Sequence, residues 1–198
     1  MNNQIVAHND LKIRIEEGFF TTAESNTLLK NFISKLPWES MIIKMFGRDT
    51  KIPRLQCWIG DEGCEYRYSG KQLNRQIWNQ DLRMIRKKIY KELKIDFNSV
   101  LANYYRDGKD SMGWHSDDEK ELGPNPTIAS ISFGSERDLV FRNKISKKTL
   151  AIPQTNGCLI LIDGETQKNW QHSIKKTQKV IGPRINLTFR NIIHKNNF

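Results

Sequence analysis

The stretch Asn103–Glu119, NYYRDGKDSMGWHSDDE, contains an imidazole and a carboxylate two positions apart, at His115 and Asp117. On an extended backbone the side chains of residues i and i+2 leave from the same face, so these two groups can bind one metal ion together. Two histidines and one carboxylate on one face of an octahedron form the facial triad of non-haem iron(II) oxygenases. An H-x-D pair alone is also common among ordinary surface residues. The candidates for a third ligand are the remaining histidines, His8, His172 and His194.

A second pattern lies near the C-terminus, in Pro183–Arg190, PRINLTFR. If this segment is extended, one face carries only apolar side chains and the other carries Arg184, Asn186, Thr188 and Arg190. Two arginines on one face of a buried strand require an anion, because an unpaired buried charge is costly. A dicarboxylate co-substrate would supply it, since arginine binds carboxylates through two parallel hydrogen bonds. A strand with one solvated face explains the alternation equally well.

These patterns in this order resemble the AlkB family of iron(II)/2-oxoglutarate-dependent nucleic-acid demethylases, and are most similar to its animal DNA-repair members. The segments that carry the resemblance are His115-Ser116-Asp117, the distal His172 and the R-x-N-x-T-F-R motif at 184–190. Further similar segments are Asn103-Tyr104-Tyr105, Ile128–Gly134 and Arg137-Asp138. The likeness runs from about Met41 to Ile193, most of the chain.

The resemblance implies a 2-oxoglutarate-dependent dioxygenase that repairs alkylated DNA by oxidative demethylation of N1-methyladenine and N3-methylcytosine, releasing formaldehyde. Its cofactors would be Fe(II), the co-substrate 2-oxoglutarate and O2. The expected iron ligands are His115, Asp117 and His172. The residues expected to bind 2-oxoglutarate are Asn103, Tyr105, Arg184, Asn186, Thr188 and Arg190. Arg184 would hold the distal carboxylate, and Arg190 would lie near the other end of the co-substrate.

The same resemblance implies a pocket for a flipped base, formed by Phe46, Arg54, Tyr66, Tyr68, Asp118 and Glu119. Phe46 precedes the P-R-x-Q motif Pro53–Gln56, where the family's duplex-DNA member has an aromatic finger, and an apolar side chain can fill the gap that a flipped base leaves. The paired tyrosines suit a methylated, positively charged base through stacking and cation–π attraction. The structural alternatives are a Phe46 side chain folded onto the core and a tyrosine pair that forms a core stripe.

The order of secondary-structure signals, with helices first and short strands afterwards, predicts an α+β chain with a double-stranded β-helix (jelly roll) core. A capping box at Thr21–Glu24 predicts a helix to about Lys35, and an amphipathic pattern predicts a second helix at Asn79–Leu93. The β-rich runs are Val100–Tyr105, Thr127–Phe133, Leu139–Arg142, Thr149–Ile152, Gly157–Ile162 and Ile185–Arg190.

Between the two helices, Trp38–Phe46 and Arg54–Ile59 are predicted strands joined by residues 47–51. This hairpin would form a nucleotide-recognition lid, with the N-terminal helices packed on one sheet. The expected segments are 1–36, an N-terminal extension with a helix; 37–98, the lid with its supporting helix; and 99–198, the dioxygenase core. They would form one compact domain overall.

The formal net charge of +10 favours a polyanionic partner, here alkylated DNA and possibly RNA, although a basic balance also arises from solubility alone. The basic clusters are Lys168, Lys175, Lys176 and Lys179, and Arg142, Lys144, Lys147 and Lys148. Three cysteines without C-x-x-C spacing, no signal-like N-terminus and no apolar run of about 18 residues predict an intracellular, non-membrane protein. It would be a monomer in the cytoplasm or nucleoid of a bacterium, or in the nucleus of a eukaryote. The alternatives are an RNA- or single-strand-specific demethylase of the same family and a non-catalytic nucleic-acid-binding protein on this fold.

Overall fold

The computed structural model of the chain describes residues 2–8, 10–45, 47–68 and 70–193, without the side chains of residues 2–4, 6–8, 45 and 68. Its elements in chain order are β1 (Asn2–His8), β2 (Leu11–Glu17), α1 (Thr22–Lys35), β3 (Ile42–Met45), β4 (Arg48–Lys51), β5 (Leu55–Gly60), β6 (Arg67–Tyr68), β7 (Lys71–Gln72), β8 (Arg75–Gln76), α2 (Gln80–Leu93), β9 (Ser99–Tyr105), β10 (Met112–His115), β11 (Ile128–Gly134), β12 (Arg137–Asn143), β13 (Thr149–Gln154), β14 (Leu159–Ile162), α3 (Thr166–Asn169), β15 (Trp170–Ile174) and β16 (Arg184–Arg190).

Two sheets form the body of the protein. The large sheet has the strand order β1-β2-β14-β11-β16-β9-β5-β8, and the minor sheet has the order β10-β15-β12-β13. An apolar cluster fills the space between them, with Leu11, Ile128 and Ile160 from the large sheet against Phe141 and Ile174 from the minor sheet. Two facing sheets with this core are the arrangement that the jelly-roll prediction requires.

The two predicted helices are present, and each begins where its capping residue requires. The Thr21 hydroxyl accepts a hydrogen bond from the Glu24 backbone N–H at 3.2 Å, and the Glu24 carboxylate accepts one from the Thr21 N–H at 2.8 Å. These two bonds form the predicted capping box of α1. The Asn79 side chain caps α2 in the same way, by accepting from the backbone N–H of Leu82 at 2.9 Å. None of the helices in the described part of the chain is long and apolar enough to cross a membrane.

Both helices pack on the outer face of the large sheet. Leu28 and Phe32 of α1 and Leu82, Ile85 and Ile89 of α2 share one core cluster with the apolar residues of β16. Ile185, Leu187 and Phe189 therefore face the helices, and the alternate residues of β16 face the minor sheet. All seven residues of β16 are buried, so the one-solvated-face explanation of this strand is wrong.

The segment before α2 departs from the sequence prediction. We expected residues 47–51 to be a loop between two paired strands, but Arg48–Lys51 is itself strand β4 and pairs with β3. The run predicted as its partner forms β5, which joins the large sheet beside β9. The side chains of β5 are buried almost throughout. A position between two other strands of the large sheet buries them better than a two-stranded hairpin would.

The N-terminal residues also form more structure than the extended entry that the sequence suggested. β1 and β2 form a hairpin, and β2 pairs with β14 in the large sheet. The large sheet therefore contains strands from all three predicted segments. The division at residues 36 and 98 stays a prediction.

Candidate active site

The pairing of β10 with β15 brings the predicted metal ligands together. His115 lies directly opposite His172 in this register, and Asp117 follows the end of β10. One potential ligand atom from each of the three residues lies within 4.8 Å of the other two. The two imidazole rings are 4.2 Å apart between centroids, and His172 Nε2 is 3.7 Å from Asp117 Oδ2. The His8 side chain and His194 lie outside the described residues.

Neighbouring groups fix the orientation of each candidate ligand. His115 Nδ1 lies 3.0 Å from the Gly113 carbonyl oxygen, which can only accept, so Nδ1 carries the proton and Nε2 keeps its lone pair. The Asp117 backbone N–H donates to Gln167 Oε1 at 3.0 Å, and Arg190 Nη2 donates to Asp117 Oδ1 at 2.6 Å. Such contacts fix the ring orientation and the free lone pairs of metal ligands.

The electrostatics of the cluster give it one negative charge. Burial alone would raise the pKa of Asp117, but the positive charge and hydrogen bond of Arg190, together with His172 and His115, outweigh it and lower this pKa to about 2. Burial and the neighbouring His115 lower the pKa of His172 to about 3, and burial lowers the pKa of His115 as well. One carboxylate and two neutral imidazoles result, which is the protonation state that a divalent metal needs from its ligands.

Asp117 Oδ2 marks the position where a cation fits. It is buried and has no hydrogen-bond partner in the described part of the chain. A buried charged oxygen of this kind needs an explanation, and a bound cation beside His115 and His172 supplies one. Two imidazole nitrogens and one carboxylate oxygen suit iron(II), so the residues present fit the predicted metal.

A buried guanidinium lies on the same strand as Arg190, at the other end of the inner face. Arg184 is 1% exposed, and its Cζ lies 5.0 Å from the centroid of the Tyr105 ring. Its Nε donates to Ser132 Oγ at 2.9 Å, and its Nη2 donates to Gln154 Oε1. Nη1 has no hydrogen-bond partner, and no carboxylate pairs with Arg184, among the residues that the structure describes. This is the uncompensated cation that an anionic co-substrate would neutralise.

The residues between the two arginines are polar and hydrogen-bonded. Asn186 Nδ2 donates to Ser130 Oγ at 2.8 Å and to the Ile131 carbonyl at 3.1 Å. The Thr188 hydroxyl donates to Asn186 Oδ1 at 2.9 Å. A cavity of about 20 Å³, lined by Asn186, Thr188, the three candidate ligands and Gln154, runs between the sheets. This volume accommodates about one water molecule, so a co-substrate can enter only if lining side chains move.

Asn103 connects the co-substrate region to the predicted base-binding residues. Its Oδ1 accepts hydrogen bonds from Arg54 Nε at 2.8 Å and from Gln56 Nε2 at 2.9 Å. Arg54 also donates to the Ser111 carbonyl at 3.3 Å, and it is buried. Arg54 thus supports Asn103, and it also lines the cleft that opens beside His115, so its role in binding the base stays a prediction.

Of the remaining base-pocket candidates that the structure describes, Glu119 and Tyr66 are hydrogen-bonded to each other, and Asp118 is exposed. Glu119 faces the site, and its Oε1 accepts a hydrogen bond from the Tyr66 hydroxyl at 2.9 Å. Tyr66 has no exposed surface and lies between Trp58 and Arg190, so it orients Glu119 rather than presenting an open ring face. The Asp118 side chain is 64% exposed and lies 3.7 Å from Lys144. Phe46 and the side chain of Tyr68 lie outside what the structure describes.

Sequence reasoning missed several residues that hold the site together: Gln56, Ser130, Ser132, Gln154 and Gln167. Ser130 and Ser132 had a usable signal, because they alternate with apolar residues in the run IASISFG and so share one strand face. Gln56 also had one, as the last residue of the P-R-x-Q motif at 53–56, whereas Gln154 and Gln167 had none. Gln154 reaches Arg184 only through the folding together of β13 and β16, which belong to different sheets.

Comparisons with known proteins agree with this geometry. Residues 12–190 match the 2OG-Fe(II) oxygenase superfamily. The chain is 40% identical over 159 residues to the DNA oxidative demethylase ALKBH2 of Homo sapiens, covering 76% of this chain and 61% of that protein. It is 34% identical over 191 residues to the alpha-ketoglutarate-dependent dioxygenase alkB homolog 3 of Mus musculus, covering 91% and 66%. The chain therefore spans roughly three fifths to two thirds of the length of these relatives.

A solved structure of OsALKBH1 superposes on this chain with a TM-score of 0.64. The match covers 90% of this chain and 97% of that one at 13% identity, which confirms the jelly-roll fold. The predicted cofactors, iron(II) and 2-oxoglutarate, are those in the name of the matched superfamily. The chain belongs to the 2OG-Fe(II) oxygenase superfamily and, as its motifs indicated, is similar to the alkB homologs within it.

Proposed function

We propose that the protein is an Fe(II)/2-oxoglutarate-dependent dioxygenase that repairs alkylated DNA by oxidative demethylation of N1-methyladenine and N3-methylcytosine, releasing formaldehyde. The observation that carries this proposal is the convergence of His115, Asp117 and His172 on the same inner surface as the buried, uncompensated guanidinium of Arg184. The substrate class is supported by the similarity to proteins named DNA oxidative demethylase.

His115, Asp117 and His172 would hold Fe(II), and Arg184 would hold the distal carboxylate of 2-oxoglutarate. When bound, these two groups supply the activation of O2 that hydroxylation of an N-methyl group needs. The protein contributes placement. Arg190 occupies Asp117 Oδ1 and keeps this carboxylate ionised, which leaves Oδ2 for the metal.

At the base end, Glu119 is the best-supported contact to the substrate. Its Oε2 has no hydrogen-bond partner within the described ranges, while the Tyr66 hydroxyl fixes Oε1. N1-methyladenine and N3-methylcytosine are cations with an exocyclic amine, so a fixed acceptor with negative charge suits both. Tyr68 and Phe46 keep their predicted roles, in stacking and in filling the gap in the duplex.

The two basic clusters would bind the phosphate backbone on either side of the site. Lys144, Lys147 and Lys148 lie at the β12–β13 turn, and Lys175, Lys176 and Lys179 follow β15 at the opposite end of the minor sheet. Binding through such clusters falls steeply with salt concentration. The three cysteines are all free and buried, which fits the proposed intracellular location.

Mass spectrometry of methylated oligonucleotides incubated with and without 2-oxoglutarate tests the function. We expect loss of one methyl group only when iron(II) and 2-oxoglutarate are both present. Duplex DNA, single-stranded DNA and RNA that carry the same lesion would be compared, which separates the DNA-repair function from an RNA- or single-strand-specific one.

Asp117→Ala is the decisive variant, because it removes a predicted iron ligand from the cluster. We expect it to abolish turnover and to leave oligonucleotide binding intact. Asp96→Ala, at an exposed carboxylate that pairs with Arg86 on α2, is the matched control and should keep full turnover. Formaldehyde release by Asp117→Ala would show that the ligand assignment is wrong.

A further inference from the structure

Trp114 forms part of the wall of a cleft that reaches the metal site at His115. A cavity of about 500 Å³ opens beside His115, and its lining includes Trp114, Ile43, Ile52, Pro53, Lys51 and Lys176. Trp114 immediately precedes His115 and lies in a β-bulge, since the register of β10 against β15 shifts between Met112 and His115. Bulges beside active sites redirect a side chain, here the indole ring.

Arg142 packs on the Trp114 ring, and Lys175 Nζ lies farther away, 5.9 Å from the ring centroid. The Arg142 Cζ lies 4.1 Å from the ring centroid, and its Nη2 donates to Gln171 Oε1 at 3.1 Å. Gln171 is the neighbour of His172 on β15, so the strand that carries a candidate ligand also anchors the residue that stacks on Trp114. No carboxylate pairs with Arg142 in the described part of the chain, so the ring is its main partner besides Gln171.

The chemistry of the cleft is that of a site for an unpaired nucleotide. Its wall is apolar and aromatic, and the exposed lysines Lys51 and Lys176 add positive charge. Among the described residues that line it, none carries a carboxylate. Aromatic side chains that stack on bases, beside cations that follow the phosphates, are the usual means of binding single-stranded nucleic acid.

We propose that Trp114 is a positioning residue that stacks on the base next to the methylated one. Because Trp114 and His115 are adjacent on the bulged end of β10, a neighbouring base held on the indole ring sets how far the target base reaches toward the metal site. This inference rests on the proposed function and extends it to a contact with the flanking nucleotide.

A double-mutant cycle between Trp114 and the flanking base tests the proposal. The dissociation constants of methylated oligonucleotides would be measured by fluorescence anisotropy without added iron, with the base on the 5′ or the 3′ side of the lesion present or replaced by an abasic residue. The wild type should lose about 5-fold or more in affinity when the stacked base is missing on one of the two sides. Trp114→Leu should bind the intact and the abasic oligonucleotides with equal affinity. Trp114→Phe keeps an aromatic ring, so removal of the stacked base should still lower its affinity nearly as much as it lowers that of the wild type.

Controls separate this contact from a structural role. Tyr90→Leu removes an exposed aromatic residue from α2 and should behave as the wild type does. Conversion of 2-oxoglutarate to succinate without nucleic acid should be unchanged in Trp114→Leu, which shows that the metal site is intact.

Two results would overturn the role of Trp114 without affecting the proposed function. One is a loss of affinity for the abasic oligonucleotide that is equal in the wild type and in Trp114→Leu. The other is no loss of affinity in the wild type on either side of the lesion. A wild type that forms succinate but binds no oligonucleotide would overturn the proposed function as well.

Discussion

Replacing Arg184 with methionine and Gln154 with leucine should make the metal-free protein more stable while it destroys co-substrate binding. Arg184 is a buried cation whose partners among the described residues are the neutral side chains of Ser132, Gln154 and Tyr105, and burial lowers its pKa. The double substitution removes the charge together with the acceptor that would otherwise lose its donor.

The expected change in the free energy of unfolding follows from the contacts that the two substitutions remove. Replacing buried charged groups with apolar residues of similar volume is neutral or stabilising by about 1–4 kcal/mol. The hydrogen bond from Arg184 to Ser132 and that from Gln154 Nε2 to Ser130 are lost, so we expect the free energy of unfolding to rise by only about 1–2 kcal/mol. Arg184→Met alone leaves Gln154 Oε1 unpaired at a cost of about 1–3 kcal/mol, so the single variant should gain little or nothing.

Urea denaturation of the metal-free proteins at neutral pH measures the stability difference. Calorimetric titration with 2-oxoglutarate in the presence of Mn(II) measures the binding loss, which we expect to be about 30-fold or more, because truncating one member of a buried charge pair costs about 2–5 kcal/mol. A double variant that is less stable than the wild type by more than about 1 kcal/mol, or that binds 2-oxoglutarate with unchanged affinity, would refute the assignment of Arg184 as a functional cation.

Three further predictions concern other contacts. Gln154→Glu should pair with Arg184, stabilise the metal-free protein and raise the KM for 2-oxoglutarate by about 100-fold in a succinate assay, as an internal carboxylate competes with the co-substrate. The pKa of Asp110 is lowered because hydrogen bonds from Arg106 outweigh the effect of burial, so its stabilisation is present above the unfolded pKa of about 4 and is lost as pH falls through the lower folded value. Asp110→Asn should therefore lower stability by about 1–2 kcal/mol at pH 7, and by progressively less as the pH falls below about 4, measured by urea denaturation across this range. Thr21→Ala removes the α1 cap and should lower the free energy of unfolding by about 1 kcal/mol in the same assay, whereas a loss below a few tenths would contradict the capping assignment.

Local features of this protein could be predicted from the sequence because they depend on neighbours along the chain. The capping box at Thr21–Glu24 fixed the start of α1, and the amphipathic pattern of residues 79–93 located α2 to within one residue of its observed start. The alternation in β16 separated Ile185, Leu187 and Phe189 from the polar residues between them, since successive side chains of a strand point to opposite faces. The H-x-D spacing likewise placed His115 and Asp117 side by side.

Contacts between distant segments could not be read from the sequence, because they depend on which strands become neighbours. The spacing alone left His8, His172 and His194 open as the third ligand, and only the family resemblance pointed to His172. The register of β10 against β15 sets His172 opposite His115. The burial of both faces of β16 and the contact of Gln154 with Arg184 also depend on distant segments. They form only when strands that are remote in sequence pair or pack against one another, and no local pattern encodes that arrangement.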